Sequence, residues 1–207
     1  MQKQDIIDKV RTIMNETGSE EQWTLLSEDT VKLDAYIESV IPDAMNMLMG
    51  LQEVDPFMMP WSNVSNGSAS TADSCTVVTL PADFLRFVAA RCTGWKREVQ
   101  KIFPYGGEDY KVQHNSVTTA GVNKPSCVYA HSGSAKVVEC FPAGSLVYFN
   151  YIAKVDSSSY EGSLNLIDGM FAGALCYLCA YIVYNIFEMP NTAQLMYNMA
   201  LQQIPKL

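Results

Sequence analysis

The sequence predicts an α+β protein in which terminal helices pack as a bundle and carry an inserted antiparallel β-sandwich or barrel-like part. Three observations lead there. Apolar residues recur at helical spacing between Asp5 and Leu48 and again beyond residue 164. The stretch from Cys75 to Ile152 breaks into short runs rich in Val, Phe and Tyr, punctuated by Gly, Pro, Ser and Asn. The order is helices, strands, helices, with no internal repeat.

Four regions follow in order: an acidic helical part at 1–55, a Ser-rich loop at 56–74, a β-rich part at 75–155, and a C-terminal helical hairpin at 156–207 that packs on the first helices. The first helix is expected over 5–16, where Ile6, Ile7, Val10, Ile13 and Met14 share a face and Thr17-Gly18 ends it. Ser27 or Asp29 can cap a second helix, with Leu33, Ile37, Val40, Ile41, Ala44, Met45 and Leu48 on one stripe. Pro42 lies inside that stripe and removes one N–H donor, so a kink or break is expected near Ser39 to Ile41. The loop opens with Phe57, Met58, Met59 and Trp61, which form either a lid on the core or a contact for another subunit, the lid being the simpler expectation.

In the β-rich part the expected strands are TVVTL, LRFVAARCTGW, REVQKIF, SCVYA, AKVVECF and LVYFNYIA, with one or two helical turns between Gly107 and Gln113. Trp95, Lys96 and Arg97 read as a hairpin tip or strand edge; the ordinary alternative is a solvated turn with Trp95 half buried. After the loop DSSSYEGS comes the longest apolar segment, 164–188. Its 18 uncharged residues from Met170 to Phe187 meet the minimum for a membrane span. Three tyrosines, Asn185 and the bracketing Asp168 and Glu188 favour a buried helix instead, with Gly169, Ala172, Gly173, Cys176 and Ala180 as a small-residue groove. Pro190 starts a last helix whose face is Ala193, Met196, Ala200 and Ile204.

Composition narrows the function classes. The 207 residues are 48% hydrophobic and 17% charged, with a formal net charge of −8, against roughly 25% charged in an average domain. Disorder and generic nucleic-acid binding are both disfavoured. Residues 1–55 hold twelve acids and four bases, and the remainder ten of each, so the whole excess belongs to the N-terminal quarter. No basic and apolar leader opens the chain, which is expected to be made in the host cytoplasm with its six cysteines reduced. Cys176 and Cys179 form one C-x-x-C without a second pair, and His114 and His131 are distant in sequence, so no metal site and no cofactor are expected. Asn63-Val-Ser and Asn66-Gly-Ser match the glycosylation pattern and here mark only a polar loop. Phosphate loops, H-E-x-x-H and G-x-S-x-G are missing, and no catalytic residue is assigned.

The informative segments are Leu80-Pro-Ala-Asp-Phe-Leu-Arg-Phe-Val, Gly94-Trp-Lys-Arg-Glu-Val, Asp109-Tyr-Lys-Val-Gln-His-Asn, Lys124-Pro-Ser-Cys-Val-Tyr, and Phe141-Pro-Ala-Gly with Val147-Tyr-Phe-Asn-Tyr. In this order, over residues 25–205, they resemble head-to-tail connector proteins of short-tailed phages, of the tail-tubular or gatekeeper type, and especially the ring proteins of crAss-like phages. The resemblance implies a non-enzymatic virion protein that forms a ring of roughly twelve copies around the DNA channel. Its implied partners are further copies of itself, the portal protein, other tail or connector proteins, and viral DNA that passes without sequence-specific binding; no membrane is implied. The Ser-rich loop 62–74 departs from the pattern. Phe57, Met58, Met59, Trp61, Trp95, Lys96 and Arg97 are the candidate contacts to neighbouring subunits. Competing readings are a membrane-associated or small-molecule-binding protein built around 164–188, and a Cys-dependent hydrolase.

Overall fold

A computed structural model describes residues 1–17, 30–64, 68–72 and 74–205. The protein is α+β and divides into two compact units, one made of Met1–Pro60 with Lys154–Leu207, the other of Trp61–Ala153.

The first unit is helical. Its elements are α1 (Lys3–Thr17), α2 (Thr30–Gly50), α4 (Tyr160–Leu166), α5 (Ala172–Ile186) and α6 (Pro190–Gln202), α3 belonging to the other unit. Helix α5 is the hub, because α1, α2 and α6 all pack on it. Its sequence explains this: Ala174, Leu175, Cys176, Leu178, Cys179, Ala180, Val183 and Tyr184 are buried around most of its circumference, as expected of a helix without a solvated face. Ile6, Ile7, Val10 and Met14 of α1 and Ala193, Met196 and Ala200 of α6 supply the opposing stripes. The Tyr184 hydroxyl donates to the Met14 carbonyl at 3.1 Å, fulfilling a buried polar group between α5 and α1. Where the chain re-enters this unit, the Asn46 amide acts as a backbone mimic, donating to Val155 O at 3.1 Å and accepting from Val155 N at 2.8 Å. Lys3 pairs with Glu38 and Glu161 at 2.8 and 3.0 Å, and Arg11 with Asp34 at 3.5 Å. The two carboxylates bonded to Lys3 hold its ammonium above the usual lysine range.

Three helical expectations change. Helix α2 continues through Pro42 without the break, the other half of that expectation being a kink. The lost N–H costs one ladder bond, but Ile37, Ile41, Ala44 and Met45 on both sides are fully buried and hold the turn in place. The Ser27 or Asp29 cap lies outside the described residues. The segment 164–188 is not one helix: α4 ends at Leu166, and Asp168 then caps a 3-10 turn at Gly169–Phe171 by accepting from Met170 N at 2.9 Å. In the small-residue groove Ala172, Cys176 and Ala180 are buried, but Gly173 lies at its rim. A Cβ on Gly173 would meet only the flexible end of Gln203, at 3.1 Å. Gly173→Ala is therefore expected to melt within about 1 kcal/mol of the parent, the tight contact and the gain in helix propensity offsetting one another.

The second unit is a two-sheet structure. Strands β1 (Ser62–Asn63), β8 (Leu146–Ala153) and β4 (Phe84–Cys92) form an antiparallel sheet in the order β1-β8-β4. Strands β2 (Ala69–Thr71), β3 (Thr76–Thr79), β7 (Ala135–Phe141), β6 (Ser126–Ser132) and β5 (Ile102–Phe103) form the other, in the order β2-β3-β7-β6-β5. One core cluster gathers Val78, Cys127, Val138 and Cys140 from the larger sheet with Phe87, Ala90, Cys92, Phe149 and Tyr151 from the smaller. Strand alternation puts Val128 and Phe141 on the opposite face of the larger sheet, with Cys75 and the partly buried Tyr110 of α3 (Glu108–Gln113).

Here too the structure revises details. The Ser-rich stretch is not simply a loop: β1 pairs with β8 and β2 with β3. Asn63 is not a bare sequon, since its Oδ1 accepts from Phe149 N at 3.1 Å. REVQKIF is not a full strand. Val99 exchanges two backbone bonds of 2.9 Å with Ala90 beside β4, and three residues later Ile102 and Phe103 pair with β6. The segment thus changes sheets within four residues, which leaves no length for a regular strand. The β5–β6 pair is parallel, so the larger sheet is mixed rather than antiparallel.

Candidate interaction surface

The turn after β4 is built to hold its side chains still. Gly94 supplies a φ of +86°, Trp95 N donates to Cys92 O at 3.2 Å, and Lys96 N donates to Val122 O at 2.9 Å. Trp95 is 2% exposed and belongs to the sandwich core, where its indole Nε1 donates to Pro142 O at 3.0 Å. Arg91 Nη2 donates to the Trp95 carbonyl at 3.3 Å.

Beyond this anchor Lys96 and Arg97 stand exposed. Glu98, next in the chain, is already engaged: its carboxylate accepts from the Tyr148 hydroxyl and from Gln100 Nε2 at 2.7 Å. These donors, with nearby Arg91, hold its carboxyl below the usual range. Burial, and then the Glu98 charge, push Tyr148 up to about 12. Lys101 Nζ sits 5.2 Å from the centre of the Phe103 ring. Arg97, Gln100, Lys101, Phe103 and Pro125 line a shallow groove of about 480 Å³ along this edge.

The other predicted patch is also a rigid turn. Asp55 Oδ1 accepts from Phe57 N at 2.9 Å and caps a 3-10 turn at Pro56–Met58. Phe57 is 46% exposed and Trp61 51%, whereas Met59 is 2% exposed and Met58 is half buried. Among the seven predicted contact residues, Phe57, Trp61, Lys96 and Arg97 thus face solvent. Trp95 and Met59 are interior, and their apolar area is spent within their own units.

One cluster has no counterpart in the sequence reading. His114 Nε2 lies 2.9 Å from Glu139 Oε2. Tyr110 packs on His114 with ring centres 4.2 Å apart, and Tyr105 touches both Tyr110 and His131, at 5.0 and 5.3 Å. Ring contacts through Tyr105 thus link the two histidines, while alternation puts His131 on the face of β6 that carries Cys127 and Tyr129. The period-two alternation of β7, which places Glu139 with Val137 and Phe141, was the available signal, but nothing in the spacing of residues 114 and 139 brings α3 over it. The arrangement orients an imidazole, but the thiol near it, Cys75, is buried and pushed up by burial and by Glu139.

All six cysteines are free and buried. Burial pushes Cys176 up to about 11 and also raises Cys179 well above the usual thiol range, while neighbouring thiols are the main cause of the upward shifts of Cys92 and Cys140. These environments oppose the thiolate that a cysteine nucleophile requires. Among the described residues no group of three or more His, Cys, Asp or Glu side chains is placed to hold a metal ion. No protein-family model and no curated protein matches this chain.

Proposed function

We propose that the chain is a structural subunit that assembles into a homo-oligomeric ring, in the manner of the phage head-to-tail connector proteins its segments resemble. In that role it joins the portal to the tail around the DNA channel, is made in the host cytoplasm and ends in the virion. The observation that carries the reading is the separation of charge between the two units. Met1–Pro60 with Lys154–Leu207 contains sixteen acids and six bases, a formal −10, while Trp61–Ala153 contains six acids and eight bases, a formal +2. A ring needs two different, complementary patches on each copy. A chain with one acidic unit and one weakly basic unit carries such a pair, and the exposed Phe57 and Trp61 add aromatic anchors of the kind that interfaces favour. The acidic unit also suits a channel through which DNA phosphates pass without sticking.

A second reading, membrane association, has one observation in its favour: Gly169–Ile186 has a mean hydropathy of 1.5 over 18 residues. Half of that window is buried within its own unit, so the same apolar residues already have partners. Fractionation separates the two. Expression without detergent is expected to yield the protein in the supernatant as a large particle by light scattering; recovery in the membrane fraction alone would favour the second reading.

A further inference from the structure

We propose that the exposed edge around β5, with Arg97 and Lys101 as its cationic anchors, receives the acidic helical unit of a second copy of this chain. The inference rests on the assembling-subunit reading and names the surface that reading leaves open.

Four bases, Arg91, Lys96, Arg97 and Lys101, fall within eleven residues against a single acid, Glu98. Glu98 is satisfied by Tyr148 and Gln100, and Arg91 donates to the Trp95 carbonyl. Among the described residues Lys96, Arg97 and Lys101 form no ion pair. Among the described residues strand β5 ends the five-stranded sheet, and the groove beside it is lined by Arg97, Lys101, Phe103 and Pro125 together with the already bonded Glu98. The occupant follows from charge. The complementary surface present at equal concentration is the −10 unit of another copy, on which Asp5, Asp8 and Asp43 are exposed. Such a contact is head-to-tail, the kind that closes into a ring.

The test follows the association of the full chain by sedimentation velocity. Raising salt from about 50 to about 500 mM is expected to weaken association roughly tenfold or more, because the contact is between surface charges. An Arg97→Glu/Lys101→Glu variant is expected to lose association with its melting temperature unchanged; Arg97→Gln/Lys101→Gln serves if the reversal fails to fold. Mixing the reversed variant with an Asp5→Lys/Asp8→Lys variant is expected to restore assembly that neither shows alone. Reversed variants that assemble like the parent would overturn the inference and leave the ring reading standing. A parent chain that stays monomeric at every concentration would overturn both. Reversal that abolishes binding to a short DNA duplex but leaves assembly intact would reassign the edge to phosphate and also overturn it.

Discussion

Trp95→Ala is expected to destabilise the protein by about 3–5 kcal/mol, the usual cost of emptying a large aromatic site in a packed core. The side chain is 2% exposed and lies in the cluster between the two sheets. Its removal also strands the Pro142 carbonyl, which accepts from the indole at 3.0 Å. In a chain of this length the melting temperature falls on the order of 10 °C. Arg97→Ala, two residues on and exposed, is expected to melt within about 0.5 kcal/mol of the parent. Thermal unfolding of the two variants side by side checks both; equal melting temperatures would contradict the core assignment of Trp95.

Gly144→Ala should be the second most damaging change, at about 1–3 kcal/mol. An added Cβ would stand 2.6 Å from the Thr93 carbonyl oxygen and 3.3 Å from Cys92 Cβ. Backbone has to move to make room, and it is held on both sides: Gly144 N donates to Thr76 Oγ1 at 3.0 Å, and the same hydroxyl donates back to Gly144 O. Thr76 is fully buried, so these bonds have no water to replace them. Gly121→Ala is the control, since nothing lies within 4 Å of its Cβ position. Urea denaturation of both variants gives the comparison; a neutral Gly144→Ala would mean that the loop before β8 shifts freely.

Local pattern was a good guide where one periodicity acts alone. The stripes of α1 and α6, the runs that became β3, β4, β6, β7 and β8, and the short helix α3 were all legible in apolar spacing and turn residues. It misled where tertiary packing outvotes a local rule. Pro42 breaks an isolated helix, but here buried neighbours keep α2 continuous. Asp168 ends an apolar run that composition alone would continue, because its carboxylate caps a new turn. REVQKIF looks like a strand since Val99, Ile102 and Phe103 each do pair, but in two different sheets. The surface site was half legible. The turn residues around Gly94 located Lys96 and Arg97, whereas the burial of Trp95 depends on a carbonyl 47 residues away. The His114–Glu139 contact was invisible for the same reason, since α3 and β7 meet only in the fold.

Native mass spectrometry of the full chain, read alongside negative-stain images of the same sample, tests the proposed assembly most directly. The account predicts one dominant species at a fixed multiple of the 23.0 kDa protomer mass, seen as a closed ring with a central opening. A monomer at all concentrations, or a continuous ladder of open oligomers, would contradict it.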